Sequence, residues 1–392
     1  MFCREPRAAQ HDGVWTFWEN GAYTLTGKRI FYIDLIRAVA ILSVLGIHSF
    51  FAKYPERVPH NAFDTAIYLP SFMFGLSGVG LFVMISGALI IEKEIRDGFR
   101  FYWKRIAAFG GLLAFWSVFG NSVAYICQGM DAWQAVLASC LHHSVIIGGS
   151  GYQASHLWFL PMIMHLYLAA PFLARMVQCM PVRDYVIFAT ISAVLFLLPG
   201  TFNYDGSFAT LLDADFFGIM GRYDVFGVYV SWFILGYLFS RYDMDRLLAG
   251  FSKRYSRYLA LILLVSALTG GYAEYKLTVW HDFQIYVPLI QFYKSLFMYV
   301  NVVVIFLLLK HYAGHFLRFR RQIEWIARYA FGLYLIHLPM ISVSSLLLQK
   351  VGINTDSSIL VITPLCGILT FGLSSLLCML LYRFKYTRYL IR

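Results

Sequence analysis

Apolar residues run along this chain in long unbroken stretches separated by short polar, basic connections. Ten such runs are of bilayer-spanning length, near residues 29–51, 69–91, 103–126, 157–178, 184–199, 226–240, 258–278, 289–310, 323–348 and 358–382. The pattern lacks the period-two alternation of barrel strands, and lipid admits only helices or closed barrels, so it predicts an all-α polytopic membrane bundle of about ten transmembrane helices. No connection is long enough to bury a core of its own. The chain therefore divides into an N-terminal segment 1–28, a membrane domain 29–382 and a tail 383–392. Composition agrees: 59% of residues are hydrophobic, 18% aromatic and only 14% charged.

The net charge of +11 raises nucleic acid as a partner, but the placement of the basic residues argues against it. Most of the Lys and Arg fall on alternate connections, among them Lys93, Arg96 and Arg100, then Arg241, Arg246, Lys253 and Arg254, then Arg318, Arg320 and Arg321. Basic loops stay cytoplasmic, which puts both termini inside and favours an even number of spans. Met1 to Lys28 carries charges and no apolar core segment, and so does not read as a cleaved signal peptide. Of the six cysteines only Cys127 and Cys140, both toward the outer face, could meet in an oxidising compartment, and none has metal-ligand spacing. His142-His143 has no carboxylate or cysteine to complete a site, so no metal is expected.

Ionisable residues inside the runs are costly in lipid and mark cavities or reaction paths. Arg37 and His48 lie eleven residues apart in the first run. At 100° per residue they share a helix face, about 16 Å apart along the axis, and Asp34 offers Arg37 an i,i+3 partner. Depth arithmetic from the inner face sorts the polar groups into two layers, with His48 at roughly 27 Å and His337 at roughly 21 Å. His156 opens the fourth run at the same outer mouth, while Asp34, Arg37, Ser86, Lys104, Arg105 and Arg328 lie near the cytoplasmic one. Such a cationic inner layer suits a polyanionic donor, and an imidazole-rich outer layer suits an acid/base step. Two longer outer connections flank this mouth. Asp131 to Leu141 is amphipathic enough to lie in the interface. Residues 201–225 interleave Asp205, Asp213, Asp215 and Asp224 with aromatic rings, which suits a sugar but equally fits a plain acidic outer loop.

Five pieces in order resemble the membrane-bound acyltransferase family 3: Asp34-Leu-Ile-Arg37 with His48; Gly80-Leu-Phe-Val-Met-Ile-Ser-Gly87; Phe101-Tyr-Trp-Lys-Arg105; His156-Leu-Trp-Phe-Leu160 with Tyr167 and Pro171; and Tyr334-Leu-Ile-His337-Leu-Pro339. The likeness extends over about residues 29–382 and is greatest to stand-alone members without a fused esterase-like domain, which modify surface glycans. It implies acyl-CoA, usually acetyl-CoA, as donor co-substrate. It also implies an essential Arg37 and His48 pair, with Arg37, Lys104, Arg105 and Ser86 on the donor side and His337 as a further catalytic candidate. His48 would serve as base or as transient acyl carrier. His156, Trp158, Asp205 and Asp215 are the candidates for the acceptor, a glycan at the outer leaflet of a bacterial inner membrane. Ala108 departs from the family, whose members often carry a second Arg there. The competing expectation is a transporter or flippase for a lipid-linked glycan, disfavoured because neither repeated halves nor paired interrupted helices are visible.

Overall fold

The computed structural model describes residues 30–54, 61–91, 98–141, 155–179, 228–280 and 295–391, together with 181, 183–185, 187 and 191. Among them there is no strand. The long helices are α1 (Phe31–Ser49), α2 (Ala62–Ile90), α3 (Gly98–Cys127), α5 (Phe159–Cys179), α6 (Val228–Arg241), α8 (Tyr255–Trp280), α9 (Leu296–Tyr312), α10 (Arg320–Lys350) and α11 (Ile359–Arg383), with short helices α4 (Ala132–Leu141) and α7 (Met244–Phe251) between them. A helix lies in every predicted run except 184–199, most of which lies outside the described residues, as do 226–227, 289–294, Asp205 and Asp215. Six stretches are long and apolar enough to cross a membrane: Phe31–Ser49, Phe63–Ile90, Phe101–Cys127, His156–Val177, Leu296–Lys350 and Ile359–Arg383. The chain is a multi-pass membrane protein. At 14 residues α6 is shorter than a straight crossing requires.

Helix α2 sits at the centre and packs on α1, α6, α8 and α9. It is apolar all round, as a helix buried on every side must be. Close approach depends on absent side chains. A Cβ on Gly87 would lie 1.7 Å from the Phe233 carbonyl oxygen, and one on Gly236 would lie 1.9 Å from that of Met84. The α2 and α6 backbones therefore touch directly, which gives the bundle van der Waals contact where lipid supplies no hydrophobic drive.

Polar ties fasten the helix ends. The Lys53 ammonium donates to the Thr355 and Ser357 carbonyls at 3.0 and 2.7 Å and lies 3.7 Å from the Asp64 carboxylate. One half-buried cation thereby joins the ends of α1 and α2 to the turn between α10 and α11. Asp131 Oδ1 caps α4 by accepting from the Trp133 and Gln134 amides, and the Ser122 hydroxyl donates to Ser139 at 3.1 Å to dock that helix on α3. The tail after α11 folds back rather than hanging free: the Trp116 indole donates to the Leu390 carbonyl at 2.6 Å, and Ile391 is buried in the main core. Cys127 and Cys140 are unpaired thiols.

Candidate active site

Three imidazoles converge from three parts of the chain. His48 comes from the last turn of α1, His337 from the middle of α10, and His156 from the turn Ser155–Trp158 that leads into α5. The His337 ring centroid lies 4.9 Å from that of His48 and 4.9 Å from that of His156.

Backbone carbonyls only accept, and that fixes the tautomers. His48 Nδ1 lies 2.8 Å from the Val44 carbonyl, so it carries the proton. His337 Nδ1 lies 2.7 Å from the Tyr334 carbonyl and likewise donates. The lone pair of His337 is therefore on Nε2, which faces His48 Nδ1 at 3.3 Å. His48 Nδ1–H is shared between Val44 and His337, and its own lone pair is on Nε2. His156 Nε2 lies 3.3 Å from the Leu335 carbonyl and donates to it, while the Tyr334 hydroxyl donates to the His156 carbonyl.

The second layer forms around Tyr167 of α5. Arg37 and Asp34 are fully buried, with Arg37 Nη1 3.8 Å from Asp34 Oδ1 in the predicted i,i+3 register. The Tyr167 hydroxyl lies 3.5 Å from Ser86 Oγ, and the Arg105 guanidinium stands 5.2 Å from the Tyr167 ring centroid and 5.4 Å from that of Phe101. Both Arg37 and Arg105 act electrostatically on the Tyr167 hydroxyl. Ser86 and Arg105 thus meet at the buried tyrosine, with Arg37 near enough to act on it electrostatically. Lys104 does not join them; it is half-buried and makes no ion pair or hydrogen bond among the described residues. Arg328 is exposed on α10, because its position faces away from the α1 and α3 contacts of that helix.

Aromatic rings connect the two layers. Tyr167 packs on Phe109 at 5.6 Å, Phe109 on Phe331 at 6.4 Å, and Phe331 on Tyr334 at 6.2 Å, and Tyr334 lies 5.5 Å from the His156 ring. Trp158 is half-buried beside Tyr229 at 6.3 Å. Tyr167 and Tyr334 were visible in the sequence only as parts of motifs. A tyrosine in an apolar run resembles ordinary core until its hydroxyl partners are known. Among the described residues no group of His, Cys, Asp and Glu is arranged to hold a metal ion.

A multi-pass helical membrane protein with buried guanidinium and imidazole layers is the class this arrangement defines. Residues 30–383 match the family described as an acyltransferase domain, and at that coverage the chain belongs to acyltransferase family 3. It is an acyltransferase, which leaves the transporter expectation without support. No curated protein and no solved structure was found to match.

Proposed function

We propose that this protein transfers an acyl group, acetyl in the first instance, from cytoplasmic acyl-CoA to a hydroxyl of a glycan at the outer leaflet of a bacterial inner membrane. In this reading ten helices span the bilayer and both termini are cytoplasmic. The observation that carries it is the His48 and His337 pair, in an acyltransferase, at the opposite end of α1 from buried Arg37. His48 Nε2, the ring nitrogen with the lone pair, takes the proton of the acceptor hydroxyl. The oxygen attacks the thioester carbonyl, the C–S bond breaks, and the thiolate leaves as CoA-SH after recovering that proton from His48. His48 Nδ1–H, already directed at His337 Nε2, steadies the imidazolium while it exists.

Arg37 and Arg105 hold the anionic part of the donor, with Ser86 and Tyr167 fixing the pocket wall and Lys104 adding charge at the mouth. The ring series from Phe109 to Tyr334 gives the donor's acyl-bearing arm an apolar path toward the histidines. His156, Trp158, Asp205 and Asp215 are assigned to the glycan. The test is His48→Ala, which removes proton transfer and little packing. The variant is expected to insert and fold while mass spectrometry finds the surface glycans unacylated; near-wild-type turnover would refute the assignment. Arg37→Ala and Arg105→Ala are expected to weaken acetyl-CoA binding, and unchanged affinity in both would remove the donor site.

A further inference from the structure

The partner of His156 on α10 is not an arbitrary backbone atom. In an α-helix the carbonyl of residue i accepts from the amide of residue i+4. For Leu335 that residue is Pro339, which has no N–H. The Leu335 carbonyl is therefore left without its helical donor at a depth where an unsatisfied carbonyl is expensive. His156, in a different part of the chain and 5% exposed, supplies the missing proton from Nε2 at 3.3 Å. The same stretch of α10 fixes His156 from a second side, because the Tyr334 hydroxyl donates to the His156 carbonyl.

We propose that Pro339 is a positioning residue for the reaction: by withholding a backbone proton from Leu335 it draws in His156 Nε2–H and so sets the ring orientation and tautomer of His156 against His337. The lone pair of His156 is then confined to Nδ1, so the ring offers one acceptor in a fixed direction. This rests on the reading of the three histidines as the transfer site. It gives Pro339 a purpose that helix shape alone does not, since the residue sits between a catalytic candidate and the rest of an otherwise continuous helix.

The structural and positioning roles predict opposite pairings of stability and rate. Pro339→Ala restores the amide at position 339, so α10 can satisfy Leu335 internally and is not weakened, but His156 loses its anchor. Full-length protein in native membrane vesicles would be assayed for transfer of labelled acetyl from acetyl-CoA to the membrane glycans. Expected for Pro339→Ala are an unchanged or higher melting temperature in detergent, a kcat lower by about tenfold, the cost of one lost buried hydrogen bond, and an unchanged KM for acetyl-CoA. His156→Phe is expected to lose at least as much, and adding Pro339→Ala to it to cost nothing more, because both act through one contact. Wild-type kcat in Pro339→Ala, additive losses in the double variant, or failure of Pro339→Ala to fold would each overturn the proposal. His48→Ala in the same preparation separates the two failures: if it retains turnover, the transfer-site reading itself is wrong.

Discussion

Replacing His337 by leucine separates the two things the ring could be doing, filling space and accepting a proton. Leucine is close to imidazole in volume, and His48 Nδ1–H keeps its bond to the Val44 carbonyl, so the resting structure loses little. It loses the 2.7 Å bond from His337 Nδ1 to the Tyr334 carbonyl, which keeps its helical donor, and the contact that bears on the reaction, the 3.3 Å one from His48 Nδ1 to His337 Nε2. Between neutral rings a contact of that length is worth about 0.5–1 kcal/mol, but with His48 protonated in the transition state it becomes charge-assisted and worth about 1.5–3 kcal/mol. Only the difference, about 1–2 kcal/mol, appears in the rate, which predicts a kcat roughly 5- to 30-fold lower with KM for acetyl-CoA unchanged. His337→Gln can still accept a hydrogen bond and should recover part of the loss. Steady-state transfer at saturating acetyl-CoA reads both variants. A kcat within twofold of wild type in His337→Leu would reduce the ring to packing, whereas a loss of about 10⁴-fold would make His337 the base in place of His48.

Two further outcomes follow. Gly87→Ala places a methyl group 1.7 Å from the Phe233 carbonyl, which no rotamer relieves. It should cost roughly 3 kcal/mol or more, seen as a lower melting temperature, and because Ser86 is the neighbouring residue it should also weaken acetyl-CoA binding; a wild-type melting curve would contradict the direct α2 and α6 backbone contact. In a cysteine-free background with the outer membrane made leaky, an impermeant thiol reagent should label Gly149→Cys and Asp205→Cys but not Arg96→Cys or Arg254→Cys. Labelling at either arginine position would invert the bundle and put the cationic layer on the wrong side for a cytoplasmic donor.

The parts of this molecule legible in the sequence are those governed by helix periodicity. Eleven residues between Arg37 and His48 fix a shared face, and three between Asp34 and Arg37 fix an ion pair, without reference to any other helix. The same reasoning fails where a residue's environment comes from a neighbour. Lys104 and Arg105 look equivalent in the sequence, yet only Arg105 reaches Tyr167, because α5 packs on one side of α3. Arg328 has the right depth and the wrong face. The tail reads as a charged cytoplasmic end, but two apolar residues at its close, Leu390 and Ile391, carry it back to Trp116 and the core. The link between His156 and α10 could have been anticipated in part: a proline in the interior of a helix deprives the carbonyl four residues earlier of its helical donor. Which donor answers it depends on tertiary structure.

How the bundle keeps three imidazoles at membrane depth follows from those carbonyls. Each ring donates one proton to a backbone oxygen, His48 to Val44, His337 to Tyr334 and His156 to Leu335; the first two carbonyls accept with a lone pair beyond the one used in the helix, and the third is the one that Pro339 leaves without a helical donor. Neutral histidine is thereby satisfied without importing a counter-charge, whereas the permanently charged Arg37 requires Asp34 beside it. The two layers thus solve different problems. In the proposed reaction a fixed charge with a fixed partner receives an anionic ligand, and neutral rings receive a proton during transfer. A carboxylate beside His48 would stabilise its imidazolium throughout the cycle, in the resting enzyme as well as in the transition state. A neutral acceptor such as His337 Nε2, 3.3 Å from His48 Nδ1, strengthens its hydrogen bond only once a proton arrives on His48, so in the proposed reaction its contribution falls chiefly in the transition state.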